Sequence, residues 1–274
     1  MLYHSNGHKY LKGNFQDGKM NGIGMEFNDK GNLYYAGNFE KNLPTNYGVQ
    51  YDGKDNVVYK GNSVEGKRMG EGTLFRPNDG SIIYKGNFDS NQFNGVGELF
   101  YRDGQLLYKG NFKNNLREGE GTEYHQDGSI GYKGIFKSNN FYGKGTLFNK
   151  GGVKTYEGDI VNGQRNGRGS EFDKFGYPIY VGFFKDDVYN GKGVTSFAMK
   201  DPETGEISGD YFNDFAGVFK KGVRYSGKIM YRGEQIFYEG KLKDEMPDGS
   251  NVTLYHENGS VLYQGNMRVG YKHG

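Results

Sequence analysis

One pattern, repeated about every 24 residues, constrains the fold of this chain more than any other feature. The pattern is anchored on the glycine of an aromatic-x-Gly triplet, with Leu11 in place of the aromatic residue in the first unit; the anchors are Gly13, Gly37, Gly61, Gly86, Gly110, Gly134, Gly158, Gly182, Gly217, Gly240 and Gly265. The spacings are 24, 24, 25, 24, 24, 24, 24, 35, 23 and 25 residues. A period of this length is typical of small supersecondary units that stack on their neighbours. The spacing predicts a single repeat domain over residues 1–274, with about eleven units, partial units at both ends and a turn-rich insertion near 201–211.

Each unit begins with an amphipathic strand. An aromatic residue usually precedes the anchor glycine by two positions and another often follows it by two, as in Tyr84, Gly86 and Phe88. Residues two apart lie on the same face of a strand. The residues between them are polar, for example Lys85 and Asn87. The pattern therefore predicts an aromatic face and a Lys/Asn face.

Two turn signals divide the rest of each unit. Five residues after the anchor stands Gly, Asn or Asp in ten of the eleven units, with Glu245 as the exception. These residue types best tolerate a left-handed backbone, so the column predicts a tight hairpin turn. A second strand with a Gly-x-Gly follows, such as Gly95 and Gly97, and a second turn appears as NDG at 78–80 or RDG at 102–104. The unit is strand, turn, strand, turn, and the fold class is all-β with about 22 strands.

The Gly-x-Gly motifs also resemble phosphate-binding loops, but their surroundings argue against that chemistry. Strings similar to the Walker A motif occur at 13–19, 61–67 and 222–228, yet the next residue is Met20, Arg68 or Ile229 rather than the Ser or Thr that binds magnesium. Aromatic residues occupy the place of the third glycine of a dinucleotide motif. We interpret the glycines as structural, each pair offering two flat places for aromatic rings, and predict no cofactor.

Composition excludes several classes of function. Basic and acidic residues number 35 and 33, a net charge of +2 that does not predict nucleic acid as a partner. The chain has no Cys, and the His residues that share a repeat position, His4, His125 and His256, are five units apart, so no metal site is predicted. The N-terminal stretch lacks an apolar run, which favours a cytoplasmic location. Aromatic residues at 16 % indicate an ordered, ring-packed chain.

Residues 84–104, YKGNFDSNQFNGVGELFYRDG, resemble the MORN repeat, and the resemblance extends over essentially the whole chain. It implies an elongated, single-layer, twisted antiparallel sheet of stacked hairpins. It also implies a scaffold or self-associating protein of a cytoskeletal or ciliary assembly, or a module that recognises phosphoinositides in membranes. Units nine to eleven depart from the pattern: the ninth is one residue short between its glycines, and the tenth has Gly249-x-Asn251 in place of Gly-x-Gly.

A lysine ladder is the strongest candidate site. The residue before the anchor glycine is Lys12, Lys60, Lys85, Lys109 and Lys133 in five units. With two strands to a unit, the lysines of consecutive units recur about every 10 Å, which suits anionic headgroups or an acidic protein surface. The alternative is that the lysines only keep a polar face soluble and block edge pairing.

The chain ends suggest self-association. The first residues align with the second strand of a unit, and the last ones stop where such a strand would begin. Head-to-tail stacking would complete that strand, while an isologous dimer or a chain boundary explains the ends equally well.

The sequence therefore favours a non-enzymatic scaffold that binds proteins. Peripheral attachment to anionic phospholipids through the lysine ladder is the alternative, and an enzyme ranks third because the pattern predicts no deep pocket.

Overall fold

The computed structural model describes residues 1–200, 207–230 and 235–273, and the side chains of 1–196, 213–230 and 235–273. Two compact units, Met1–Asn140 and Phe141–Gly274, are described in turn. The described residues contain strands and turns and no helix, and all the strand pairs are antiparallel. The predicted all-β fold of consecutive hairpins is confirmed.

Unit 1 is a meander in which each strand pairs with the next one along the chain. Its strands are β1 Leu2–Tyr3, β2 Lys9–Gln16, β3 Lys19–Phe27, β4 Leu33–Glu40, β5 Leu43–Tyr51, β6 Val57–Val64, β7 Lys67–Phe75, β8 Ile82–Asp89, β9 Gln92–Phe100, β10 Leu106–Lys113, β11 Leu116–Tyr124 and β12 Ile130–Lys137.

Unit 2 repeats the meander with strands of less regular length. They are β13 Asn140–Phe148, β14 Lys154–Val161, β15 Gln164–Phe172, β16 Pro178–Lys185, β17 Val188–Lys200, β18 Ile207–Lys220, β19 Val223–Met230, β20 Ile236–Lys243, β21 Met246–Pro247, β22 Gly249–Tyr255, β23 Val261–Arg268 and β24 Tyr271–His273. Residues 201–206 of the predicted insertion lie outside the described residues. The flanking strands β17 and β18 have 13 and 14 residues, so the insertion lengthens their hairpin.

The hairpin turns have the predicted positive φ angles. Between β8 and β9, Ser90 and Asn91 have φ of 50° and 72°, as a two-residue turn with both central residues left-handed requires. The Asn91 side chain also reaches the previous hairpin, where Oδ1 accepts the Arg68 N–H at 3.0 Å and the Asn91 N–H donates to Arg68 O at 3.1 Å. Each such turn is thereby fastened to the turn one period earlier.

The two glycines of Gly-x-Gly have different roles. A Cβ at Gly97 would lie 2.3 Å from Tyr84 Oη, so the second glycine leaves room for the tyrosine ring, as predicted. At Gly95 the first glycine does not seat a ring, and there that part of the prediction is wrong. Gly95 has φ of 86° and lies at a bulge opposite β8, so it serves backbone conformation.

The aromatic columns form the core of each unit. Tyr84 and Phe88 are 0 % and 3 % exposed, and the Tyr84 ring meets Phe88 and Phe112 edge to face with centroids 5.2 Å apart. Tyr84 Oη donates to the backbone oxygen of Asn87 at 2.8 Å, which satisfies the buried hydroxyl. The same bond recurs at Tyr59, Tyr108, Tyr132, Tyr156 and Tyr180.

A second layer of side chains covers these rings. Phe93 stacks on Tyr84 with ring centroids 3.8 Å apart. In the preceding 24-residue repeat, the Arg68 guanidinium takes this place and lies 4.8 Å from the centre of the Tyr59 ring. The position seven residues after each anchor glycine alternates between Arg and an aromatic residue from the third repeat to the ninth. These residues are Arg68, Phe93, Arg117, Phe141, Arg165, Tyr189 and Arg224. This cover explains how the tyrosines are fully buried although each unit has only one layer of sheet.

The last repeats of unit 2 are irregular, as predicted, but in another way. Val252 lies on the strand next to Gly240, and a Cβ built on Gly240 would lie 2.7 Å from Val252 Cγ1. On its other side, Val252 is the cross-strand partner of Gly265. Val252 therefore takes the place of the second glycine, and the expectation that Asn251 replaces it is wrong. Asn251, with φ of 59°, belongs to a bulge that adds one residue to β22.

Candidate interaction surface

The structure places the five lysines of the ladder on the face of unit 1 opposite the buried rings, which we call the open face. Lys12, Lys60, Lys85, Lys109 and Lys133 are all exposed and lie on β2, β6, β8, β10 and β12. Four of them form a continuous series with one strand between neighbours. Lys12 is set apart from Lys60 by Met25, Ala36 and Val49, so the ladder is a group of four and an outlier.

Strand register determines what lies between the four lysines. Thr73 is the cross-strand partner of both Lys60 and Lys85, and Thr122 is the partner of both Lys109 and Lys133. Between these groups, Glu98 faces both Lys85 and Lys109. This basic row therefore carries four positive charges and one negative charge across seven adjacent strands.

A second row, two residues further along the strands, has a different chemistry. Its exposed members are Ile23, Tyr47, Glu71, Val96 and Glu120; Ile23 is 73 % exposed, and Tyr47 and Val96 are each 57 % exposed. The two rows are about 7 Å apart at the rise of a β-strand. The open face of unit 1 thus presents a basic row beside a row of apolar and acidic side chains.

The two rows border a shallow groove of about 650 Å³. Lys60, Lys85 and Lys109 line it together with Tyr47 and Val96. Its floor is backbone at the glycine pairs Gly61–Gly72 and Gly86–Gly97, which carry no side chains into the groove. A ligand there would touch the backbone between two rows of side chains.

The lysines differ in how far their charges are compensated. Lys109 Nζ lies 2.9 Å from Glu98 Oε1, and this contact raises the pKa of Lys109. Lys60 Nζ lies 5.7 Å from the centre of the Phe75 ring. In the part of the chain that the structure describes, Lys85 and Lys133 form no ion pair. Within the four-lysine row, these two are the lysines whose charge is most available to a partner.

The asparagines of the open face have a structural role that sequence reasoning missed. Asn111 Nδ2 donates to Glu120 O at 3.2 Å and Asn38 Nδ2 to Tyr47 O at 3.1 Å, so each amide holds the bulge of the next strand. In unit 2, Asp159 stands at the same position but with the opposite hydrogen-bond direction, because its Oδ2 accepts the Arg168 N–H at 3.0 Å. The only signal was the Asn that directly follows the anchor glycine in six of the eleven repeats. These side chains are committed to the fold, unlike the lysines two residues before them.

A MORN-repeat family model matches the chain at residues 12–32, 59–81, 84–106, 108–130, 156–172 and 180–201. The chain belongs to the MORN-repeat family. Its MORN repeats coincide with the hairpins described above, and four of the six matches lie in unit 1. No curated protein matches the chain.

MORN repeats are a non-catalytic type of repeat through which proteins contact other proteins or membranes. No helix within residues 1–200, 207–230 and 235–273 is long and apolar enough to cross a bilayer. Across the same described residues, no group of three His, Asp or Glu side chains is arranged to hold a metal ion. The open face of unit 1 is the surface with the most distinctive chemistry, and that its lysines bind an anionic partner stays a prediction.

Proposed function

We propose that this MORN-repeat protein is a non-enzymatic scaffold that binds other proteins on its open face. The observation that carries the proposal is the difference between the two faces of unit 1. The aromatic face is occupied by its own rings and their cover, and the asparagines are used by the bulges. The lysines, Tyr47 and Val96 are exposed and are not needed for either purpose.

Large exposed side chains on a rigid sheet are suited to protein recognition. Tyr47 and Val96 supply apolar contact area, and the neighbouring charges supply orientation. The tyrosines two residues before the anchor glycines are not arranged for catalysis. Burial raises the pKa of Tyr59 to about 12, and its hydroxyl donates to Asn62 O inside the sheet. These hydroxyls serve the core.

Photo-crosslinking tests the scaffold proposal. A photoreactive phenylalanine replaces Tyr47 on the open face in one variant and Tyr271 in β24, which is 79 % exposed, in a control variant. After irradiation in extract of the source cells, the Tyr47 variant should yield a discrete crosslinked protein that the Tyr271 variant does not. Identical crosslinking patterns, or none from Tyr47, would count against the open face as the binding surface.

The lysine ladder supports a second candidate, peripheral attachment to anionic phospholipids. Sedimentation with phosphatidylcholine vesicles, with and without phosphatidylinositol bisphosphate, tests it at low salt and at about 0.15 M salt. Co-sedimentation that persists at the higher salt and is lost when Lys60, Lys85, Lys109 and Lys133 are changed to Glu would establish membrane recognition. Sedimentation of the protein alone, as a dimer or larger species, would test self-association in the same experiment.

We further propose a cytoplasmic location in a cytoskeletal or ciliary assembly, a setting suggested by family resemblance. A fluorescently tagged chain should be retained with the cytoskeleton after detergent extraction. Complete release with soluble protein would contradict this location.

A further inference from the structure

We propose that the groove of unit 1 binds an extended acidic peptide segment of a partner protein, with an acidic side chain at every third residue. This inference rests on the scaffold function proposed above and specifies the chemistry of the partner. Its components are the four-lysine row, the shallow groove beside it and the spacing of the strands.

The spacing of the lysines matches an extended peptide that runs across the strands. Neighbouring strands are about 4.8 Å apart, so lysines on alternate strands recur about every 9.6 Å. A polyproline II segment rises about 3.1 Å per residue and has three residues per turn, so every third side chain points the same way at about 9.3 Å. Four acidic residues in this spacing would meet Lys60, Lys85, Lys109 and Lys133.

The width of the groove favours an extended chain over a helix. The basic row and the row of Tyr47 and Val96 are separated by about 7 Å along the strands. A helix with its side chains is about 10–12 Å across and would rest on the rims of the groove. An extended chain is narrower than a helix, so its backbone can lie nearer the glycine floor, with its remaining side chains toward Tyr47 and Val96.

The charges along the groove favour a peptide over a flat anionic bilayer. Glu71 lies within the groove and Glu98 stands between Lys85 and Lys109. A bilayer surface would bring phosphates against these carboxylates as well as against the lysines. A peptide with spaced acids places negative charge only at the lysines.

Glu98 gives the proposal an unusual test, because it competes with the ligand. Its carboxylate holds Lys109 Nζ at 2.9 Å, and an acidic peptide must displace it. Glu98→Gln should therefore bind the peptide about two- to fivefold more tightly, the range expected for one exposed charge pair. A gain of affinity cannot be produced by misfolding.

The test measures fluorescence anisotropy of labelled synthetic peptides with the full-length protein. One peptide carries four Asp at every third position of a proline-rich chain, and a second has the same composition with the four Asp consecutive. A third is helical with an Asp at every seventh position. The spaced peptide should bind most tightly, and its affinity should fall between low salt and about 0.15 M salt.

Protein variants assign the contact to the row. Lys85→Ala and Lys133→Ala should each weaken binding of the spaced peptide by about two- to fivefold. Lys113→Ala is the matched control, because Lys113 is an exposed lysine of β10 near the hairpin turn and outside the row. It should bind like the parent protein.

Equal or tighter binding of the clustered or helical peptide, or equal losses in Lys113→Ala and Lys85→Ala, would overturn the proposal. Binding to phosphoinositide vesicles without binding to the spaced peptide would overturn it in favour of the membrane. A discrete crosslink from Tyr47 without peptide binding would leave the scaffold function intact and refute only the periodic acidic ligand. Binding of the spaced peptide without a crosslink from Tyr47 would support the periodic acidic ligand and count against the scaffold function.

Discussion

A methyl group at Gly97 should destabilise this protein more than one at a solvent-exposed turn glycine. The Cβ of Gly97→Ala would lie 2.3 Å from Tyr84 Oη and 2.4 Å from its Cε2. Nonbonded carbon atoms prefer about 3.5–4.0 Å, so the ring would have to move by more than about 1 Å. Such overpacking costs about 1–3 kcal/mol, and loss of the Tyr84–Asn87 hydrogen bond adds about 1 kcal/mol. We expect a loss of about 2–4 kcal/mol in the free energy of unfolding.

Urea denaturation followed by circular dichroism measures this loss. Both the midpoint and the slope of the transition are needed, because a repeat protein can unfold in parts. Gly104→Ala is the control. Gly104 has φ of 88° and nothing within 4 Å of the added Cβ, so it isolates the left-handed backbone cost of about 1–2 kcal/mol.

A double variant tests the cause directly. Leu11 occupies the tyrosine position in the first repeat and is fully buried, so leucine is acceptable at this place in the fold. In Tyr84→Leu the ring is absent, and adding Gly97→Ala should then cost about 2 kcal/mol less than it does in the parent. Additive losses, or a Gly97→Ala variant as stable as Gly104→Ala, would refute the role of the second glycine as a seat for the ring.

Three further predictions concern single groups in unit 1. Ser63 is 1 % exposed and its Oγ has no hydrogen-bond partner among the described residues, so Ser63→Ala should raise the free energy of unfolding by about 1 kcal/mol; a loss in the urea midpoint would contradict this. Asn91→Ala should lower the free energy of unfolding by about 2 kcal/mol, because it loses both the side-chain bond to Arg68 N and a residue suited to φ of 72°. Asn91→Gly should lower it by only about 1 kcal/mol, because glycine tolerates this φ, as Gly66 does at the same turn position. Equal urea midpoints for the two variants would contradict the backbone argument. Burial raises the pKa of Tyr59 to about 12, above its usual value near 10. Because the unfolded chain loses this proton at a lower pH than the folded chain, the free energy of unfolding should fall as pH rises from about 10 toward about 12. A thermal midpoint that does not change over that interval would show that the hydroxyl is not held in its neutral form.

The repeated hairpins were predictable because their signals are local. Alternation of Tyr84, Gly86 and Phe88 with polar residues defines a strand with two faces, and Asn91 marks a turn with positive φ. The lysine row was predictable for the same reason, because each lysine directly precedes an anchor glycine. Repetition of these signals in successive units made the fold class and the exposed side of the lysines clear from the sequence alone.

Strand register and bulges were decided by the tertiary structure. Whether Gly95 seats a ring or supports a bulge depends on which residues of β8 lie opposite it, and that pairing is not encoded by alternation within β9. The same holds for Glu98, whose place between Lys85 and Lys109 follows from the register of β8, β9 and β10.

What the sequence by itself determined was therefore the order of strands and turns and the chemistry of each face, because both depend on residues close together in the chain. What only the tertiary structure decided was which side chains meet across strands: the second layer over the tyrosines, the asparagine bonds to the bulges, and the groove between the two rows. Those contacts depend on pairing between residues that are distant in the chain, and a bulge of one residue, as in β22, is enough to change them.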